Sequence, residues 1–130
     1  MRDQNFGIEI EMTCLTRAAA ARIIAGHFDT DACHVGGGYD AYTVRDTTGR
    51  QWKVMSDASI RCQNGSSRTA GSQYSVEVVS PICQYGDIET IQEIVRKLRA
   101  GGAKVNSSCG IHVHVDASNH TPKTLRNIVN

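Results

Sequence analysis

Phe6-Gly7-Ile8-Glu9-Ile10-Glu11-Met12 alternates without a break. Successive side chains of a strand point to opposite faces. Phe6, Ile8, Ile10 and Met12 therefore share one face, and Gly7, Glu9 and Glu11 share the other. The stretch predicts a strand with an apolar side to bury and a second side carrying two carboxylates. Two later stretches repeat the design. Over residues 73–80, Val76 and Val78 share one face and Ser75, Glu77 and Val79 the other, and Pro81 removes a backbone donor and ends the strand. Over residues 109–116, Ile111, Val113 and Val115 alternate with His112, His114 and Asp116.

Between these strands the spacing changes from two to three or four. Thr16 is placed to cap a helix over residues 17–28, with Ala18, Ala21, Ala25 and Phe28 as its apolar stripe. Asp87 is placed to cap a second helix, in which Ile88, Ile91, Val95 and Leu98 form the buried side and Gly101-Gly102 the stop. Residues 29–50 read as loop apart from a short strand at 41–45, which pairs with 51–55 as a hairpin around Asp46-Thr47-Thr48-Gly49. Thr121-Pro122 opens a third helix by the N-cap and first-turn proline rule, with Leu125, Ile128 and Val129 at helical spacing. The expected order is strand, helix, hairpin, strand, helix, strand, helix. That is an α+β unit: a mainly antiparallel sheet with helices packed on one face.

Composition narrows the function. The 130 residues include 14 Lys+Arg and 13 Asp+Glu, a net charge of +1, which lacks the basic excess of a protein that holds nucleic acid by bulk charge. No apolar run approaches the ~20 residues of a membrane span, and Met1-Arg2-Asp3-Gln4 begins no signal peptide, so the expected location is the cytoplasm. The five cysteines are scattered and form no CxxC pair, which fits reduced thiols better than a disulfide frame or zinc finger.

The three polar strand faces carry Glu9 and Glu11, then Glu77, then His112, His114 and Asp116, with no Lys or Arg among them. Carboxylates at i and i+2 stand ~6.5–7 Å apart and repel each other unless a cation lies between or above them. A merely solvated face would mix signs or use Thr. The pattern points to an external cation, and the predominance of carboxylate oxygen favours Mg²⁺ or Mn²⁺ over zinc, although an HxH pair keeps zinc open.

These same segments carry a resemblance. FGIEIE (6–11), SDASI (56–60), VEVVSP (76–81) and CGIHVHVD (109–116), in that order, resemble the amidoligases of the carboxylate–amine ligase superfamily, whose catalytic fold is of the glutamine-synthetase type. The resemblance implies Glu9, Glu11, Glu77 and His112 as metal ligands and His114 as a phosphate contact. It places Asp57 and Ser59 near substrate, with His114 and Asp57 as the catalytic candidates, and Ser59 and Ser80 lining the nucleotide pocket. It implies ATP and Mg²⁺ (or Mn²⁺) as cofactors, and a small-molecule, peptide or protein carboxylate and an amine as substrates. Neither nucleic acid nor membrane is expected as a partner, and the oligomeric state is left open. The implied reaction phosphorylates a carboxylate and lets an amine displace the phosphate. Because family members continue past this length, residues 1–130 are expected to be the N-terminal part of a single catalytic domain. Two alternatives stand beside the ligase: a non-catalytic metal- or partner-binding α+β module, and a metallohydrolase using the same ligands with an activated water.

Other residues have plainer readings. Trp52 is expected in the core. Gly36-Gly37-Gly38 lacks the GK[ST] ending of a phosphate loop and reads as a lid or linker. Arg61 and Arg68 read as loop charges, His27 and His120 as structural, His34 as a loop residue, and the cysteines as small buried hydrophobes. Cys109 and His112 fall on opposite faces of their strand, which argues against an activated thiol.

Overall fold

A computed structural model describes residues 5–116 and 123–127. The first strand, β1 (Asn5–Met12), sits in the middle of a seven-stranded sheet with β2 (Ala32–Gly36), β3 (Ala41–Arg45), β4 (Gln51–Met55), β5 (Val76–Val79), β6 (Ile111–Asp116) and β7 (Lys123–Asn127). The order across the sheet is β2-β3-β4-β5-β1-β6-β7, and every neighbouring pair is antiparallel. β1 is thus inserted between β5 and β6, which run parallel to one another. Their connection must cross over, and it does so through α2 (Ile88–Ala100).

The alternation in β1 has the predicted outcome. Ile10 and Met12 are buried together with Val54, Val76 and Val78, under Ala20, Ala21, Ile24, Ala25 and Phe28 of α1 (Arg17–Phe28) and Ile91, Ile94 and Leu98 of α2. Trp52 joins this core at 2% exposure. Both helices lie on this face, and the architecture is α+β as expected. α1 begins where predicted: the Thr16 hydroxyl accepts from Ala19 N–H at 3.1 Å. Asp87 does not cap α2 with its side chain. Its carboxylate accepts from Gln84 N–H at 2.8 Å and pairs with Arg50 at 2.9 Å, which ties the start of α2 to the β3–β4 hairpin.

Four expectations are corrected. Residues 32–36, read as loop, form β2. Its residues are largely exposed, so no apolar alternation announces it, and pairing with β3 makes the strand. Gly36, the last residue of β2, and Gly37, the first of the turn to β3, are neither lid nor linker; they sit at φ +80 and +76, a conformation that favours glycine. The strand read over 73–80 is shorter, because residues 72–74 wind into a 3₁₀ turn before β5. Residues 123–127, read as helix, form edge strand β7, in which Leu125 pairs with Val113 and Arg126 with His112, so pairing with β6 overrides the local helical spacing. The expected cap Thr121-Pro122 and His120 lie outside the described residues. No described helix is long and apolar enough to cross a membrane.

The buried face is not fully covered. At the β1–β6 end an apolar groove of about 430 Å³ is lined by Phe6, Ile8, Ile88, Ile91, Val113 and Val115. It lies on the side of the sheet opposite Glu9 and Glu11.

Candidate functional site

The polar face is built by register. Glu11 pairs directly with Glu77 across β1 and β5. On the other side of β1, Glu9 pairs with His112 and Gly7 with His114. β4 ends beside the same spot, since Met55 pairs with Glu77, and Asp57 follows two residues later. One carboxylate oxygen from each of Glu11, Asp57 and Glu77 lies within 4.8 Å of the others. Gly110 N–H donates to Glu11 Oε1 at 2.9 Å, and Ser59 donates to Asp57 Oδ1 through N–H at 2.9 Å and Oγ at 2.8 Å.

Three carboxylates so close cannot all remain ionised at no cost. Burial raises Glu77, and a hydrogen bond with Asp57 and repulsion from Glu9, Asp57 and Glu11 carry it up to about 8. Burial, then the hydrogen bond and charge of Asp57, also raise Glu11, against the opposing pull of Gly110 and His112. Burial works against the charge of Asp57 as well. Hydrogen bonds from Glu11, from the Ser59 backbone and hydroxyl, and from Glu77 outweigh it and hold Asp57 at about 2. Near neutral pH the cluster therefore retains a proton, centred on Glu77, that bridges to an ionised Asp57. A divalent cation can take that proton's place. The donors are hard anionic oxygens alone, which fits Mg²⁺ or Mn²⁺ and not a soft thiophilic metal.

A second group adjoins the first along β1. Glu9 Oε1 lies 3.4 Å from His112 Nδ1 and 3.5 Å from His114 Nε2, so one carboxylate faces both imidazoles. The sequence-predicted residues thus divide. Glu11 and Glu77 meet each other, Glu9 meets His112 and His114, and Asp57, expected beside substrate, stands with the first pair and brings Ser59 with it. Ser80 is not brought to this face. It is buried; its Oγ accepts from Ile8 N–H at 2.9 Å, which fastens β1 to the end of β5, and donates to the neighbouring Pro81 O at 2.8 Å.

Sequence reasoning missed one residue here. Lys53 pairs with Val79, which pairs with Glu9, so β4 contributes a cation to the carboxylate face. The signal was available in the alternation of Gln51, Lys53 and Met55 against the buried Trp52 and Val54. Lys53 makes no ion pair among the described residues. The Cys109 thiol faces Asn106 Oδ1 at 3.7 Å and is buried.

The chain belongs to the family described as "putative amidoligase enzyme", whose family model matches residues 2–130. No curated protein and no solved structure matches it. Membership gives the general class, an amide-forming ligase, and the resemblance carried by the four strand and loop segments agrees with it.

Proposed function

We propose that the chain joins a carboxylate to an amine at the expense of ATP, by way of an acyl phosphate, on the carboxylate face of the sheet. The observation that carries this reading is the convergence of Glu11, Asp57 and Glu77 oxygens within 4.8 Å of one another, in a chain of an amidoligase family. These three residues would hold Mg²⁺ or Mn²⁺, with Glu9 and His112 as the adjoining ligands. Bound there, the ions offset negative charge on the phosphate oxygens as the phosphoryl group transfers.

The chain's own residues have separate tasks. Asp57, kept ionised, supplies a permanent anionic ligand. Glu9 orients His112 and His114, and His114 faces the phosphate as a hydrogen-bond donor. Lys53 approaches the same anion from the β4 side, and Ser59 fixes the carboxylate of Asp57. In the reaction an oxygen of the substrate carboxylate attacks the γ-phosphorus and ADP leaves. The amine nitrogen then attacks the acyl carbon, phosphate leaves, and the nitrogen loses a proton. A small amino acid, a peptide or a protein side chain meets these requirements equally.

The test is nucleotide turnover by this chain with Mg²⁺, ATP and panels of carboxylates and amines. Release of ADP and phosphate that requires both partners, and that Glu11→Gln abolishes, is the expected result. Amide hydrolysis without ATP would establish the metallohydrolase instead. Binding of Mn²⁺ with no turnover of any panel member, by a full-length chain as well as by residues 1–130, would establish a binding module.

A further inference from the structure

We propose that Ser75, locked in place by Arg17, is a positioning residue that sets Asp57 into the carboxylate cluster; this rests on the cation-binding reading above. Asp57 is the one member of the cluster that no strand holds. Glu11 and Glu77 are fixed by the β1–β5 register, whereas Asp57 lies in the irregular segment after β4. A side chain there can serve as a ligand only if its backbone is pinned. Ser75 does this with one hydroxyl: Asp57 N–H donates to Ser75 Oγ at 2.8 Å, and Ser75 Oγ donates to Asp57 O at 2.8 Å. Both backbone groups of Asp57 are therefore bonded to one buried side chain, with Ile60 N–H a second donor to Asp57 O at 3.1 Å, and the carboxylate, braced by Ser59, meets Glu11 and Glu77.

Ser75 is fixed in turn. Arg17, the first residue of α1, is buried, and its Nη1 donates to Ser75 O at 2.8 Å and Ser72 O at 2.7 Å. Its Nη2 pairs with Asp40 Oδ2 at 2.8 Å, so the guanidinium cannot swing away. The chain of contacts runs from the start of α1 through the entry to β5 to the ligand. None of Arg17, Ser72 or Ser75 belongs to the cluster, and the Ser75 hydroxyl bonds backbone atoms of Asp57 and not its carboxylate. Outer partners of this sort typically change metal affinity by about 10–100-fold when removed.

The test is Mn²⁺ titration of the full chain by calorimetry and by the electron paramagnetic resonance signal of free Mn²⁺, with metal-free melting curves as the folding control. Ser75→Ala should weaken Mn²⁺ binding about ten-fold. In an Asp57→Ala background the same substitution should change affinity less than about two-fold, because a residue acting through Asp57 has nothing left to position. Ser75→Cys, close in volume but a weaker hydrogen-bonding group, carries the same comparison if Ser75→Ala does not fold. Equal losses in the two backgrounds, or wild-type affinity for Ser75→Ala, would overturn the inference while a weakened Glu11→Gln leaves the cation site standing. If wild type and Glu11→Gln bind Mn²⁺ alike, the cation reading fails and this inference fails with it.

Discussion

Glu11 and Glu77 are direct cross-strand partners, two acids facing one another where a sheet normally places apolar or oppositely charged neighbours. Like charges in this relation destabilise a pair of strands. Asp57 adds a third carboxylate within 4.8 Å of each. The arrangement stores electrostatic strain that a proton relieves partly and a dication relieves more fully. The predictions below follow chiefly from that fact.

Stability of the metal-free protein should fall as pH rises between about 4.5 and about 8. Glu77 has an ordinary value of 4.5 and reaches about 8 when folded, so the folded chain holds a proton that the unfolded chain has lost across that window. Glu11 is raised and acts in the same direction. Asp57 is lowered from 3.8 to about 2, so its contribution is lost only in stronger acid. Melting curves in EDTA at pH 5, 6.5 and 8 check the slope. Saturating Mn²⁺ should flatten it or reverse it, and a metal-free protein that grows more stable up to pH 8 would contradict the shared proton.

Glu77→Gln should separate stability from ion binding. The amide imitates the protonated acid without gaining charge at high pH. At pH 8 we expect the metal-free variant to be more stable than wild type by about 1 kcal/mol, or roughly 4 °C in melting temperature. Its Mn²⁺ affinity should nevertheless drop at least about ten-fold. A variant less stable than wild type at pH 8 would show that Glu77 is held by favourable contacts instead of strain.

Glu9→Gln and His112→Ala address the adjoining group. Glu9 Oε1 faces His112 Nδ1 at 3.4 Å, and both side chains are partly exposed. Each substitution should weaken Mn²⁺ binding while shifting the melting temperature by about 2 °C or less, as expected for exposed positions. Calorimetric titration of the two variants decides the matter, and unchanged affinity in both would remove this group from the cation site.

Asp46 provides a contrast in which a buried acid is purely structural. It accepts from Thr48 N–H and Oγ, Arg50 N–H and Nε, and Trp52 Nε1 at 2.8–3.2 Å. Burial opposes its charge, but these donors outweigh burial and hold the carboxyl below its usual range. Asp46→Ala leaves the buried Trp52 N–H and the Arg50 guanidinium without this partner, and should cost about 2–4 kcal/mol in urea unfolding. Mn²⁺ affinity should not change.

Much of this molecule could be read from its residues because the decisive strands are amphipathic. β1 declares both faces in seven residues, and β6 does the same with alternating valine and histidine. The start of α1 follows from one threonine. What escaped notice lacked such a signal. β2 exposes most of its side chains, so nothing in its composition separates it from a loop. β7 carries a helix-like spacing that only the open edge of β6 overrides. Asp57 illustrates the harder case. Its neighbourhood has no periodicity, and the sequence could associate it with substrate only by resemblance. Its place beside Glu11 and Glu77 depends on where β4 ends and on the hydroxyl of Ser75, which are properties of the folded sheet.

The position of β1 has a consequence for biosynthesis. β1 is synthesised before both of the strands that flank it, β5 on one side and β6 on the other, so its pairing waits until long loops have closed. Glu11 meets Glu77 only through the pairing of β1 with β5, and the Ser75 that pins Asp57 lies at the entry to β5. The cluster of three carboxylates is consequently complete only once the centre of the sheet has been stitched together, and on the proposed reading a cation would be held there after that step and not before it.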